Sequence, residues 1–258
     1  MLSKNKIKYI RSLEHKKYRT ANSAFVAEGY KVVADLLPVF RCNCLVATSE
    51  WFESNASILA SLHISTSNTE IHTVTNEELR KVSFQETPQQ VLAVFQQPQW
   101  HADINNIAKH GLCLALDDVQ NPGNLGTIVR LADWFGIEHI FCSRNSADIY
   151  NPKTIQATMG AIARVQVHYV DLPSILATID DATPIYGTSL TGDSIYAKTL
   201  TPNGLIIMGN EGKGVSNAVN AFVNEQLYIP NYPQERHTSE SLNVAIATAI
   251  ICAEFRRR

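Results

Sequence analysis

Residues 112–135 read LCLALDDVQNPGNLGTIVRLADWF, and this stretch decides the fold class of the larger part of the chain. Residues 112–119 form a nearly continuous apolar run closed by acids, which is typical of a strand buried on both faces of a parallel sheet. Apolar residues then recur at helical spacing over 124–135, with Asn124 placed to cap the helix and Gly136 placed to end it. The stretch therefore predicts a buried strand followed by an amphipathic helix.

The same alternation continues towards the C-terminus. Further strands are predicted at residues 139–143, 165–169, 185–190, 205–208 and 227–229. Further helices are predicted from Pro152 onwards and at residues 172–179, 214–223 and 241–257. Strands separated by helices imply a parallel sheet with helices on both faces, so we predict an α/β domain over residues 108–258.

The first hundred residues mix helix and strand signals. Thr75-x-x-Glu78 has the spacing of a capping box, residues 91–95 form a compact apolar strand, and residues 51–62 are compatible with a helix. Residues 96–101 are polar, contain a proline and lack periodicity, which is typical of a linker. We therefore predict a smaller α/β domain over residues 1–98.

Composition excludes several classes of protein. The chain has 258 residues, 45% apolar side chains and a formal net charge of −2, and its apolar runs fall far short of the roughly 20 residues of a membrane span. The basic N-terminus lacks a following apolar run, so we expect a cytoplasmic protein. The five cysteines form no C-x-x-C pair; Cys42 and Cys44 with His63 lack a fourth ligand, and we expect no metal.

Basic residues are concentrated at the N-terminus. Residues 1–31 contain eight lysines and arginines against two glutamates, a net charge of +6. Such an excess attracts phosphate by counterion release, although a solvated helix face explains it equally well. The terminal Arg256-Arg257-Arg258 also has two interpretations, since it can complement a helix dipole or contact RNA.

Three segments follow predicted strands in the larger domain, where open α/β sheets bind ligands. The first, NPGNLGTIVR at residues 121–130, joins a strand to a helix and places Arg130 about a turn and a half beyond Asn124. The second, GNEGKG at residues 209–214, fits neither common phosphate-loop spacing but exposes backbone groups that can recognise a heterocycle such as adenine. Arg130 could equally form a surface salt bridge.

The third segment contains Ile229-Pro230 and, after a polar loop, Ser241-Leu242-Asn243 at the start of the last helix. Ser241 is explained most simply as the N-cap of that helix. Asn243 needs another reason, because asparagine inside a helix competes with the backbone for hydrogen bonds.

Taken together, the motifs NPxNxGxxxR (121–130), GNEGxG (209–214), IP (229–230) and SLNV (241–244) resemble the three ordered motifs of the SpoU/TrmH family of SPOUT-class RNA 2′-O-ribose methyltransferases. Residues 2–37, with FVAEG at 25–29, resemble the family's substrate-binding domain, whose fold is similar to that of ribosomal protein L30e. The resemblance covers nearly the whole chain.

This resemblance implies an N-terminal L30e-like RNA-binding domain, a C-terminal domain with a deep trefoil knot, and a homodimer whose active sites draw on both subunits. It implies S-adenosylmethionine (AdoMet) as cofactor and RNA as substrate; ribosomal RNA is favoured, with transfer RNA as the alternative. The implied cofactor-binding residues are Thr188, Ser189, Leu190, Met208, Gly209, Asn210, Gly212, Ile229, Pro230 and Leu242. The implied catalytic residues are Arg130, Asn124, Glu211, Ser241 and Asn243.

The expected role of Arg130 is to hold a phosphate next to the reacting hydroxyl, because a guanidinium keeps its proton too tightly to act as a base. A phosphate oxygen or water would then accept the proton. A non-catalytic RNA-binding protein that retains the fold is the main alternative function. A dinucleotide-dependent oxidoreductase is disfavoured because no G-x-G-x-x-G follows the first strand of the larger domain.

Overall fold

The computed structural model describes residues 2–62, 69–233, 239 and 241–257, so His63 lies outside the described residues. The chain forms two compact units, which we treat separately. The N-terminal unit comprises Met1–Gln99 and Asp148–Ala163, and the C-terminal unit comprises Trp100–Ala147 and Arg164–Arg258.

The strands are β1 (Ala24–Glu28), β2 (Cys42–Ala47), β3 (Glu70–Thr73), β4 (Val91–Gln96), β5 (Leu112–Leu116), β6 (His139–Ser143), β7 (Gln166–Val170), β8 (Ile185–Ser194), β9 (Gly204–Met208) and β10 (Glu225–Tyr228). The helices are α1 (Lys4–Ser12), α2 (Lys16–Asn22), α3 (Tyr30–Leu36), α4 (Ser49–Ser54), α5 (Ala56–Ser61), α6 (Asn76–Arg80), α7 (Ile104–His110), α8 (Pro122–Trp134), α9 (Pro152–Thr158), α10 (Leu172–Leu176), α11 (Asn217–Asn220) and α12 (Val244–Arg257).

The N-terminal unit contains a four-stranded mixed sheet in the order β1-β4-β2-β3. The central strand β4 is buried over Val91–Phe95, as its apolar run predicts, and the capping box at Thr75 forms at the start of α6. The predicted helix over 51–62 is two helices, because the side chain of Asn55 donates to the Trp51 carbonyl at 2.8 Å and Asn55 separates α4 from α5.

The buried guanidinium of Arg19 ties α2 to the distant segment Asp148–Ala163. It donates to Asp148 Oδ2 at 2.6 and 3.1 Å and to the carbonyls of Leu13 and Glu14 at 2.9 and 2.6 Å. Only 2% of Arg19 is exposed. Although Arg19 is one of the eight basic residues of positions 1–31, it therefore stabilises the fold and adds no charge to the surface.

The C-terminal unit contains a six-stranded sheet in the order β10-β8-β9-β5-β6-β7. Every neighbouring pair is parallel, which confirms the prediction from the strand–helix alternation. The pairing of Leu116 with Met208 brings the carboxyl ends of β5 and β9 together, so the two loops that follow them leave the same edge of the sheet. The deep knot stays a prediction.

Several predicted helix bounds differ from the structure. Asn121, and not Asn124, caps α8, because its Oδ1 accepts from the N–H groups of Gly123 and Asn124 at 2.8 and 3.2 Å. The predicted helix over 214–223 shortens to α11, since Gly214 has a φ of +69° and belongs to the preceding loop. Pro152 opens α9 as predicted.

Arg256 has a structural role at the end of α12. Its guanidinium donates to the carbonyls of Phe135 and Gly136 at 2.8 and 3.2 Å, which supplies partners to the C-terminal end of α8. Arg257 pairs with Glu254 at 2.7 Å, and Arg258 lies outside the described residues. None of the described helices has the length and apolar content needed to cross a membrane.

Candidate active site

An open pocket of about 910 Å³ lies in the C-terminal unit, beside the middle of β8, where β9 and β10 end and α12 begins. All ten residues predicted to bind the cofactor line it, namely Thr188, Ser189, Leu190, Met208, Gly209, Asn210, Gly212, Ile229, Pro230 and Leu242. Glu211 and Ser241 line it as well, whereas Asn124, Asn243 and Arg130 do not. The pocket is therefore built from the second and third sequence motifs together with the middle of β8.

The loop over residues 209–214 is held closed by its own asparagine. Asn210 and Gly214 exchange two backbone hydrogen bonds, of 2.8 and 3.0 Å. The Asn210 side chain accepts from the N–H groups of Gly212 and Lys213 and donates to the carbonyl of Asp118 at 2.8 Å. Because its side chain is engaged in this way, Asn210 shapes the wall of the pocket.

Gly209 is required by the close approach of this loop to itself. A Cβ atom on Gly209 would lie 2.3 Å from both the carbonyl carbon of Gly214 and the backbone nitrogen of Val215. Any larger residue would push the loop open at the point where β9 meets the pocket. The absence of a side chain at Gly209 therefore permits the tight turn of residues 209–214.

A hydrogen-bonded network joins the three motifs next to the pocket. Asn124 Nδ2 donates to Glu211 Oε1, and Asn243 Nδ2 donates to Asn124 Oδ1 at 3.1 Å. The other end of the Asn243 amide, Oδ1, accepts from the N–H groups of Ala245 and Ile246 at 3.0 and 3.3 Å. Residues separated by 87 and 119 positions are therefore in direct contact.

The chemistry of the two ends fixes the orientation of both amides. The first N–H groups of α12 require an acceptor, so Asn243 turns its oxygen towards them and its NH₂ towards Asn124. Asn124 then turns its own NH₂ towards Glu211, which as a carboxylate only accepts. The network has one consistent orientation, and the charge of Glu211 helps to set it.

Asn243 caps α12, which corrects two expectations. The sequence favoured Ser241 as the N-cap and placed Asn243 within the helix, but α12 begins at Val244 and Asn243 supplies the cap. Ser241 precedes the cap and faces the pocket. The asparagine therefore has both a capping role and a role in the network.

Arg130 does not join this network within one chain. It is exposed, and no ion pair or hydrogen bond of its side chain occurs among the residues that the structure describes. It lies six positions after Asn124 on α8, which corresponds to a rotation of about 240° and a rise of about 9 Å. Arg130 instead shares a face of α8 with Trp134, which is 84% exposed.

The polar lining residues that were not found from the sequence are Lys213, Asn220, Gln226, Tyr228, Asn231 and Ser239. Gln226 Nε2 donates to Asn220 Oδ1 at 3.3 Å, and the hydroxyl of Tyr228 donates to Asn231 Oδ1 at 3.2 Å. Polar residues on α11 and β10 have no distinctive spacing, so only their position identifies them. Of the described lining residues, Glu211 and Lys213 are the ones that carry charge.

A second group of ligand-type side chains lies in the N-terminal unit. Cys44, Glu70 and His72 bring one ligand atom each to within 4.8 Å of one another. The ammonium of Lys6 contacts Glu70, and burial raises the pKa of Cys44 to about 11. A lysine already neutralises this carboxylate, and the thiol stays protonated, so the cluster is explained as part of the sheet edge.

Two family models match the chain. The model of the SpoU rRNA Methylase family matches residues 111–253, and that of the MRM3-like substrate binding domain matches residues 4–93. The first match contains all three motifs of the pocket and its network.

Individual relatives agree with these matches. The 23S rRNA (guanosine(2553)-2′-O)-methyltransferase RlmP of Bacillus subtilis is 31% identical over 255 residues, which cover 97% of this chain and 96% of the relative. A structure from Porphyromonas gingivalis, assigned to the TrmH family of RNA methyltransferases, is 40% identical with a TM-score of 0.88 and covers 100% of this chain and 99% of that one. An AdoMet-bound rRNA methyltransferase from Sinorhizobium meliloti is 27% identical with a TM-score of 0.86, over 100% of this chain and 96% of that one.

Proposed function

Because the chain belongs to the SpoU rRNA Methylase family, we propose that it transfers a methyl group from AdoMet to the 2′-hydroxyl of a ribose in RNA. The observation that carries this proposal is the pocket beside β8 and the ends of β9 and β10, next to a network that joins all three motifs. Ribosomal RNA is the proposed target, since the Bacillus subtilis relative is named for a 23S rRNA nucleotide. Residues 1–98 would bind the RNA and residues 108–258 would carry the reaction.

The pocket has the composition that AdoMet requires. Leu190, Met208 and Leu242 offer apolar surface for an adenine ring, while the loop around Gly209 offers backbone polar groups. When bound, AdoMet supplies a methyl group on a positively charged sulfur. Glu211 places a negative charge in the lining and Lys213 a positive one, so the described lining has no net charge that would repel this cation.

The network next to the pocket would orient the ribose. Asn124 and Asn243 are held by Glu211 at one end and by the start of α12 at the other, so neither amide can rotate without losing hydrogen bonds. Ser241 offers a hydroxyl on the pocket side. Fixed polar groups of this kind accelerate a reaction by positioning and by stabilising developing charge, without reorganising during the step.

Arg130 would bind the phosphate next to the reacting ribose through its planar fork. The hydroxyl proton would pass to a phosphate oxygen or to water, because a guanidinium does not give up its own proton. This role requires an arginine with free donors, and the exposed side chain of Arg130 meets that requirement.

A homodimer would bring Arg130 to the network of a second subunit. The face of α8 that carries Arg130 also carries Gly123, Thr127 and the exposed Trp134. On α12, Ile246 is 54% exposed. Large exposed apolar side chains are typical of subunit interfaces, and Trp134 lies one turn of α8 from the arginine that one chain leaves unused.

Mixing two inactive variants tests the shared site. One subunit carries Arg130→Ala, and the other carries both Glu211→Ala and Asn243→Ala. If Arg130 acts across the interface, mixed dimers contain one intact site and an equimolar mixture recovers about one quarter of the wild-type rate. Recovery no greater than the mean of the separate variants would place Arg130 in the site of its own subunit.

A radiolabelled methyl transfer assay with AdoMet and ribosomal RNA tests the activity itself. We expect incorporation into RNA that is resistant to alkaline cleavage at the methylated nucleotide. Mapping of 2′-O-methylated positions in total RNA, with and without the gene, identifies the target and separates ribosomal from transfer RNA. A chain that binds RNA but neither binds AdoMet in a calorimetric titration nor transfers methyl groups would be a non-catalytic relative.

A further inference from the structure

A shallow groove of about 660 Å³ runs between α1 and α2 of the N-terminal unit. It is lined by Asn5, Lys8, Tyr9, Arg11, Ser12, Glu14, His15, Tyr18 and Asn22. We call it the α1–α2 groove. Nothing in the reaction described above uses these side chains, so their arrangement needs a separate explanation.

One face of each helix forms the α1–α2 groove. On α1, residues 5, 8, 9 and 12 follow the i, i+3, i+4, i+7 spacing of a single helical face. On the other side, residues 15, 18 and 22 recur at the same helical spacing at the start of α2 and along it. Ile10 is buried on the opposite side of α1, and Arg19 is the buried residue of α2, so the core anchors both helices beside the groove.

The structure divides the basic residues of this region into two groups. Lys6, Arg11 and Arg19 have partners, since they pair with Glu70, Glu14 and Asp148 respectively. Lys4, Lys8, Lys16 and Lys17 are exposed and form no ion pair within the described part of the chain. Glu14 is the one acidic residue among positions 2–27, so the groove and its rim carry an uncompensated positive charge.

Aromatic and amide groups lie within this charged surface. Tyr18 is 44% exposed, and its ring centroid lies 6.4 Å from that of His15. The Asn22 side chain donates to the carbonyl of Tyr18 at 2.8 Å, which steadies the backbone below the ring, and Asn5 faces the groove from α1. An exposed ring flanked by lysines offers a stacking surface for a base and attraction for the adjoining phosphates.

We propose that the α1–α2 groove binds a single-stranded segment of the substrate RNA, with one base stacked on Tyr18 and its phosphates next to Lys8 and the rim lysines. The inference rests on the proposed function for the identity of the partner. A duplex keeps its bases stacked on one another and cannot offer a face to Tyr18, so the single strand is the occupant that fits. The groove would hold RNA without taking part in the reaction.

Fluorescence anisotropy with a short labelled single-stranded RNA of mixed sequence tests the proposal, using the full-length chain. Tyr18→Ala should weaken binding about tenfold, the effect of losing one base–aromatic stack. Lys8→Gln should weaken binding at low salt and reduce the slope of log K against log salt by about 0.7. The same RNA annealed to its complement should respond to Lys8→Gln but not to Tyr18→Ala.

Matched controls come from the same unit. Tyr30→Ala removes another exposed tyrosine, and Lys81→Gln removes an exposed lysine outside the groove; both should bind like wild type. Unchanged affinity of Tyr18→Ala and Lys8→Gln, or equal losses with the controls, would overturn the proposal. An equal loss of duplex binding on Tyr18→Ala would also overturn it.

Methyl transfer separates this inference from the proposed function. With ribosomal RNA as substrate, Tyr18→Ala should raise KM for RNA about tenfold while kcat and calorimetric AdoMet binding stay at the wild-type level. If wild-type protein transfers no methyl groups but Tyr18→Ala and Lys8→Gln weaken RNA binding as expected, the proposed function is wrong and RNA binding in the α1–α2 groove is supported. If methyl transfer occurs and the KM of Tyr18→Ala for RNA is unchanged, RNA binding in the α1–α2 groove is wrong and the proposed function is supported.

Discussion

Two arginines in the two units have opposite surroundings. Arg19 is 2% exposed, and its guanidinium donates to Asp148 and to the carbonyls of Leu13 and Glu14. Arg130 is exposed on α8 and has no hydrogen-bond partner within the described residues. In the sequence both are basic residues of helices, and no local pattern records that one is buried and the other exposed.

The difference lies in whether the donors of the guanidinium are already used. A buried arginine with satisfied donors stabilises the fold, and its charge is compensated where it lies. An exposed arginine with unused donors can bind a phosphate. The comparison therefore predicts separate effects on stability and on activity for substitutions in the two regions.

The largest expected effect follows from Arg19→Leu. The substitution leaves the carboxylate of Asp148 without its arginine and two carbonyls without donors, so the free energy of unfolding should fall by about 3–5 kcal/mol. Urea denaturation measures this loss. Arg80→Leu, which removes an exposed arginine of the same unit, should cost less than about 0.5 kcal/mol. Equal stability of the two variants would contradict the structural role of Arg19.

Arg130→Lys should reduce activity without reducing stability, the opposite of Arg19→Leu. Lysine keeps the charge but not the planar fork, so kcat for methyl transfer should fall about 100-fold, with the free energy of unfolding and AdoMet binding unchanged. Arg144→Lys, at another exposed arginine of the C-terminal unit, serves as control. Full activity of Arg130→Lys in a radiolabelled assay would show that the fork is not needed.

Glu211→Gln tests whether the carboxylate orients the network. A glutamine can rotate and donate, so the orientation of Asn124 and Asn243 is no longer unique, and kcat at saturating AdoMet should fall roughly tenfold. Glu138→Gln removes an exposed carboxylate elsewhere in the C-terminal unit and should leave the rate unchanged. If both variants retain the wild-type rate, the charge of Glu211 does not govern the network.

The smallest effect at neutral pH concerns a buried histidine of the C-terminal unit, which like Arg19 serves the fold. His168 lies against His139 and Phe141, with ring centroids 5.5 and 5.0 Å away. Burial, and secondarily His139, lowers the pKa of His168 from 6.5 to about 4. Between pH 6.5 and about pH 4 the imidazole of His168 is protonated in the unfolded chain but not in the folded one. The free energy of unfolding therefore falls as the pH drops from 6.5 towards 4.

His168→Gln should flatten this pH dependence and leave activity at neutral pH unchanged, because neutral pH lies above both pKa values. Urea midpoints measured from pH 7 to pH 4 give the comparison with wild type. An identical pH dependence in the two proteins would assign the acid sensitivity to other groups.

Much of the larger domain could be predicted from the sequence because its signals are local. The buried strand β5, the proline that opens α9 and the alternation that makes the sheet parallel all depend on residues close in the chain. Helix ends were less accurate. Asn121 and Asn243 cap α8 and α12 in place of Asn124 and Ser241, because several polar residues at each helix start offer an acceptor and only the backbone path selects one.

The sequence by itself determined the fold class and the three motifs, since periodicity and spacing are properties of neighbouring residues. Only the tertiary structure decided which polar side chains meet, because Asn124, Glu211 and Asn243 come together through the pairing of Leu116 with Met208 and the start of α12. It also decided that the donors of Arg19 are used and those of Arg130 are not. The contacts between Arg19 and Asp148 and between Asn243 and Asn124 join residues 129 and 119 positions apart, and no local pattern records them.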